Sequence, residues 1–286
     1  MLKKLFKYEW KAFWKVPTAI NVFLGIITFI GIISLASPFW ELDVRGIEIM
    51  LGLAVFFYIL AIAAGSIGVV IAITARYYRN IYTDEGYLTN TLPVTARQII
   101  LSKLFTGVIW SLITGAVVSI SIFSLIYTAA LSYSDTDIFY EFLHGFPEFL
   151  RAFKEELDIS FFLFAFLGLI YMILSTTLSI LKIYTAIALG QLFTRHKVAG
   201  AVMWYIGEYV FFEIITSFLR GIPSYSYSGG LFSLFFSYGI NYYNRYGSYG
   251  YSILLSMLIA IGACLAVCAG LYFLTEHMLK NRLNLD

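Results

Sequence analysis

Residues 47–79 read IEIMLGLAVFFYILAIAAGSIGVVIAITARYYR. From Ile49 to Ala75 the stretch carries no charge, and Arg76 and Arg79 then end it. A hydrocarbon core of about 30 Å is crossed by about 20 helical residues. Backbone groups inside lipid must bond within their own segment, so an apolar run of this length reads as a transmembrane α-helix. The basic residues at its end give it a direction, because Lys and Arg collect on the cytoplasmic side.

The rest of the chain repeats this pattern. With 47–75, runs at about 17–37, 102–130, 160–190, 198–219 and 251–275 make six expected spans. Several exceed 20 residues, which calls for tilt or for extension beyond the bilayer. Lys3, Lys4, Lys7, Lys11, Lys15, Arg76, Arg79, Arg97, Lys103, Arg195, Lys197, Lys280 and Arg282 fall on one side of this arrangement. Only Arg45, Arg151, Lys154, Arg220 and Arg245 fall on the other, among acids running from Glu41 to Asp158. That asymmetry predicts both termini in the cytoplasm and an even number of spans, and the multi-pass chain is expected in the plasma membrane. A cleaved signal peptide is the competing reading of the N-terminus, since Ser34-Leu35-Ala36 resembles a cleavage site. The sixteen residues before span one are long for its leading region, and Pro38 follows closely, so an uncleaved first span is expected.

Composition agrees. Of 286 residues, 60% are hydrophobic and 13% charged, with mean hydropathy +0.83, against about 25% charged in soluble domains. Aromatics reach 19%, and such rings favour bilayer interfaces. A net charge of +2 gives no indication of nucleic acid as a partner. Cys264 and Cys268, four apart in an apolar run, share a helix face and read as packing residues, without a disulfide between them. There is no internal repeat and no low-complexity region.

Three segments flank the spans. In residues 1–16, Leu2, Leu5, Phe6, Trp10, Phe13 and Trp14 recur at helical spacing beside a ridge of Lys3, Lys7, Lys11 and Lys15. This is an amphipathic helix suited to the cytoplasmic headgroup layer, with Trp10, Phe13 and Trp14 as its interface residues. It is either a plain anchor or a lever that meets a partner. Residues 131–158 are an extracellular segment in which Phe139, Phe142, Leu143, Phe146, Leu150, Phe153 and Leu157 recur at roughly helical spacing. Gly145 and Pro147 are expected to break it into two short helices. Residues 220–250 are the second extracellular segment. There Tyr225, Tyr227, Tyr238, Tyr242, Tyr243, Tyr246 and Tyr249 crowd around an apolar run, Leu231–Ile240, that is too short to span. It suits a re-entrant or interfacial hairpin, acting as an aromatic belt or as a lining for an amphipathic substrate.

The chemistry encoded is sparse. There is no phosphate-cradling G-x-x-x-x-G-K-[ST] loop and no T-V-G-Y-G filter. His144, His196 and His277 sit in loops or at membrane edges, so neither an intramembrane protease nor a metal centre is indicated. Ionisable residues inside spans are expensive and carry a functional hypothesis. Glu208 lies about 15 Å into span five at 1.5 Å per residue, and Glu213 sits about 140° further round the helix. Both are candidates for a translocation path; Glu208 reads first as a buried structural hydrogen bond and second as part of that path or of proton coupling. Lys182 lies near the inner end of span four and can snorkel.

The cytoplasmic segment between spans two and three reads RYYRNIYTDEGYLTNTLPVTARQIILSK from Arg76 to Lys103. Ile81, Tyr82, Glu85, Leu88 and Leu92 allow a short helix with an exposed mixed face, capped by Thr83 or Asp84 and ended by Pro93. Thr95 can cap the next helix. Such an element is either a plain connector or a piece that docks in a groove of a soluble partner.

Thr83-Asp84-Glu85-Gly86-Tyr87-Leu88, then Thr91-Leu92-Pro93-Val94, Arg97-Gln98-Ile99 and Ser102-Lys103, resembles the corresponding loop of type-2 ATP-binding-cassette (ABC) export permeases, closest to those of Gram-positive bacteria. Leu5-Phe6-Lys7-Tyr8-Glu9-Trp10 is similar to that family's N-terminal surface helix. The resemblance implies an all-α, six-span permease subunit that pairs with a second permease, the same chain or a homologue, and with two separate ATPase subunits. ATP and magnesium would be bound by those partners, and no cofactor or catalytic residue by this chain. It implies that residues 78–98 are the coupling loop, with Tyr82, Asp84, Glu85, Tyr87 and Leu88 against the ATPase. The cargo expected is an amphipathic or hydrophobic peptide, antibiotic or lipid. The extracellular segment 131–158 is longer and more acidic than the family pattern. A proton-coupled carrier using Glu208, and a non-transporting sensor or immunity protein, are the alternative functions.

Overall fold

The structure, a computed structural model, describes residues 1–36, 47–83, 86, 94–133, 138–193, 195–220 and 249–281. Among these, every regular element is an α-helix: α1 (Leu2–Phe13), α2 (Lys15–Ala36), α3 (Ile47–Tyr82), α4 (Ala96–Tyr133), α5 (Ile138–Leu157), α6 (Phe161–Gly190), α7 (Lys197–Arg220) and α8 (Tyr249–Asn281). Five stretches are long and apolar enough to cross a membrane: Lys15–Ala36, Gly52–Tyr82, Ala96–Leu131, Phe161–Gly190 and Ile253–Lys280. The expected span 198–219 is helical and, at 24 residues, long enough. Lys197, Glu208 and Glu213 make it more polar than the other five. This is a multi-pass membrane protein in composition and in build.

The chain forms two compact units. One comprises Met1–Tyr77 and Phe105–Gly145, the other Tyr78–Leu104 and Phe146–Asp286. In the first unit α1 and α2 meet at Trp14, whose amide donates to the Trp10 carbonyl at 3.0 Å. Pro17 explains the break, since it has no N–H for the carbonyl of Phe13 four residues back. Small residues let the long helices approach. A Cβ on Gly65 would lie 2.7 Å from Leu24 Cδ2, and one on Gly31 3.2 Å from Leu125 Cδ2. Large apolar side chains such as Phe29, Phe57 and Phe123 point outward, as lipid rather than water allows.

In the second unit α6 packs against both α7 and α8. α6 and α8 run parallel. Near their starts, Ile159, Leu167, Ile253 and Met257 form one buried cluster. Near their ends, the Thr185 and Thr275 hydroxyls are 3.0 Å apart. The short turn from α6 to α7 depends on two glycines. A Cβ on Gly190 would lie 2.5 Å from the Ala201 amide nitrogen, and one on Gly200 2.5 Å from the Phe193 ring.

Two expectations change here. α5 is one helix through Pro147, not two short ones. Proline leaves the Leu143 carbonyl without its intrahelical donor, but Phe146, Phe149 and Phe153 are held against the Phe161 ring at 6.3, 5.6 and 5.4 Å. Such packing overrides local propensity. α5 ends at Leu157, and Asp158, with a positive φ of 53°, turns the chain toward α6. The second change is at α3, which runs on to Tyr82. Ile73, Tyr77 and Ile81, four apart, are all buried, so the apolar stripe continues past the basic residues.

Candidate functional sites in the two units

The N-terminal helix uses its apolar face on the chain itself. Trp10 stacks on Trp110 with ring centroids 5.0 Å apart. Phe13 is buried and lies under the Arg76 guanidinium, 5.7 Å from the ring centroid. Arg76 Nε donates to Glu9 Oε1 at 2.6 Å. Of the three expected interface residues, Trp10 and Phe13 therefore face the protein, and Trp14 stays exposed. The lysines at 3, 4, 7, 11 and 15 are all exposed.

At the basic end of the second unit, a buried carboxylate is gripped by two cations. Arg97 Nε lies 2.7 and 2.9 Å from the two carboxylate oxygens of Glu276, and Lys280 Nζ lies 2.5 Å from Oε1. The Glu276 side chain is 5% exposed, against 61% for Arg97 and 50% for Lys280. Beside it Ile99, Ile100, Ser102, Lys103 and Leu104 are buried, and the Tyr184 hydroxyl donates to the Lys103 carbonyl at 3.3 Å. The first turns of α4 are thus fixed to α6 and α8. The Thr95 carbonyl accepts from the Gln98 and Ile99 amides, opening α4. The sequence reading missed Glu276, which falls just past the expected span 251–275. Its signal was an acid among basic tail residues, four before Lys280.

Of the expected ATPase contacts, Asp84, Glu85, Tyr87 and Leu88 lie outside the described residues, as do residues 221–248 of the tyrosine-rich segment. Tyr82 is described and is buried in the last turn of α3, its ring 6.3 Å from that of Tyr78. That differs from the exposed docking face expected for it. Gly86 sits so close that a Cβ there would meet the Ile81 carbonyl, and its amide donates to the Thr83 carbonyl at 2.6 Å. Only glycine fits such an approach.

A third cluster lies between α6, α7 and α8. Glu208 is half-buried, and neither of its carboxylate oxygens has a hydrogen-bond partner among the described residues. Lys182 attracts it electrostatically. The Lys182 ammonium does not snorkel to the nearer helix end, as expected, but sits over the Phe212 ring, 4.3 Å from its centroid. Phe212 is one turn further along α7 than Glu208, so the ring face and the carboxylate draw the ammonium toward the middle of the span. Glu213 is exposed, about 140° round the helix from Glu208. Cys264 and Cys268 are buried, free thiols on the neighbouring face of α8. Among the described residues no group of His, Cys, Asp and Glu is arranged to hold a metal.

Comparison of the chain with protein-family models, with curated proteins and with solved structures finds no match.

Proposed function

We propose that this chain is the permease subunit of an ABC exporter in the plasma membrane, with six spans, both termini cytoplasmic, and ATP and magnesium bound by two partner ATPase chains. The observation that carries the reading is the segment from Thr83 to Lys103. It resembles the coupling loop of such permeases, and its C-terminal flank is anchored rather than loose. Arg97 holds Glu276 of α8, and Tyr184 of α6 holds the Lys103 carbonyl. A push on the loop by an ATPase would pass directly to α6 and α8. A second permease, the same chain or a homologue, completes the pathway, and the apolar, aromatic walls favour an amphipathic or hydrophobic cargo.

The parallel course of α6 and α8 supports the sixth span. In a membrane, two parallel helices need the chain between them to cross once, and α7 is the helix available to do so.

Co-purification tests the proposal. A P-loop ATPase is expected to accompany the full-length chain from its native membrane, and Glu85→Ala with Leu88→Ala is expected to weaken that association and its ATPase stimulation about tenfold or more. An unaffected association removes the coupling-loop role. The lack of a hydrogen bond at Glu208 among the described residues favours one other reading, a proton-coupled carrier. That carrier would work without ATP, collapse with the proton gradient and stop in Glu208→Gln.

A further inference from the structure

Along α7 the sequence around Glu208 is Trp204-Tyr205-Ile206-Gly207-Glu208-Tyr209-Val210-Phe211-Phe212. Trp204 and Tyr205 precede the carboxylate by four and three residues, and Phe211 and Phe212 follow it by three and four. At about 100° per residue these spacings put all four rings within about 60° of Glu208 around the helix axis. One carboxylate is thus framed above and below by aromatic rings on a single stripe. Trp204, Tyr205 and Phe211 are exposed, so the stripe is open beside the carboxylate.

The site already shows what it takes. An ammonium group, that of Lys182, lies over one of the four rings. It balances the charge of Glu208 without supplying a hydrogen bond, and the covered carboxylate oxygens have no donor among the described residues. An ionised carboxylate has about four acceptor positions, and leaving them empty away from water is costly. Hard metal ions need several oxygen ligands, which a single carboxylate among rings does not supply. An organic ammonium with N–H donors fits both parts, its charge on the rings and its protons on the carboxylate.

We infer that the Glu208 stripe of α7 binds the protonated amine head group of an amphipathic molecule, and that Lys182 is a resident cation which the amine displaces. As a statement about cargo this rests on the permease reading; as a binding site it does not. Dodecylamine is the probe, with dodecanol as its neutral counterpart, titrated against the full-length protein in phosphatidylcholine nanodiscs and read by tryptophan fluorescence against empty discs. Dodecylamine is expected to bind about tenfold more tightly than dodecanol, and Glu208→Gln to erase that difference. Lys182→Met is expected to tighten amine binding about threefold or more, because the competing cation is gone. If Glu208→Gln does not fold, Trp204→Leu with Phe211→Leu is expected to weaken the amine selectively. The inference is overturned if amine and alcohol bind alike, if Glu208→Gln binds the amine as wild type does, or if Lys182→Met weakens binding as a purely structural ion pair requires. Since no ATPase enters the titration, amine binding without any co-purifying ATPase would keep the site and remove the permease reading.

Discussion

At Gly250 a methyl group would sit 2.6 Å from the carbonyl oxygen of Asp158 and 2.8 Å from that of Leu157. The obstacles are backbone atoms at the end of α5, held by the Asp158 amide donating to the Lys154 carbonyl at 2.9 Å, so they do not swing aside as a side-chain tip does. Gly250→Ala is expected to cost about 1–3 kcal/mol, as overpacking against fixed structure does. The thermal midpoint in detergent measures it, and an unchanged midpoint would show that α5 and α8 do not meet there. Glu276 gives a second prediction at this scale, an asymmetry. Its carboxylate is buried while Arg97 and Lys280 are half-exposed or more. Glu276→Gln leaves two cations that water can solvate. Arg97→Met with Lys280→Met instead leaves a buried charge with no partner, which is the costly direction. The double variant is expected to melt clearly lower than Glu276→Gln. The reverse order would mean that the carboxylate is solvated after all.

For whole elements, the long helices were legible in the sequence because about 20 apolar residues in lipid have one backbone solution. The face of α1 was not. Leu2, Leu5, Phe6, Trp10 and Phe13 have the same period whether they meet lipid or protein, and only the Trp110 ring and the Arg76–Glu9 pair decide it. The continuity of α5 was hidden for a related reason: Gly145 and Pro147 are local signals, while the ring cluster on Phe161 comes from the next helix. In the candidate site, the cost of a charge within a span marked Glu208, but no spacing rule says which way a long lysine side chain turns. α1 yields the prediction that belongs here. Trp10→Ala removes a stacked pair worth about 0.5–1.5 kcal/mol beyond its buried area. It is expected to speed amide exchange across residues 2–13 severalfold, whereas Trp14→Ala, at an exposed position, is expected to leave that exchange unchanged. Equal effects would show that α1 is held by its lysines on the membrane, not by its rings on the protein.

Across the whole molecule, the open question is the path between the ends of α6 and α8. Thr185 meets Thr275 near the last turns of the two helices, and Leu167 meets the Ile253–Met257 turn near their first, so the helices are parallel. Arg97 on Glu276 then puts the start of α4 and the end of α8 at one level. If α4 starts on the cytoplasmic side, as proposed from its basic flank, α8 ends there too. On the six-span proposal the chain between Gly190 and Tyr249 then crosses the bilayer, despite the polar residues that set α7 apart from the other five helices. If α7 lay flat instead, α8 would be inverted and the tail would be outside. Single cysteines in a background of Cys264→Ala and Cys268→Ala distinguish the two. Lys154→Cys is expected to react with a membrane-impermeant maleimide in intact cells. Lys3→Cys, Lys197→Cys and Asn284→Cys are expected to react only after permeabilisation. Labelling of Asn284→Cys from outside would reduce the count to five. It would also require the Arg97–Glu276 pair to span the membrane, which two atoms 2.7 Å apart cannot do, so that single result would reject the sixth span and the packing of α8 together.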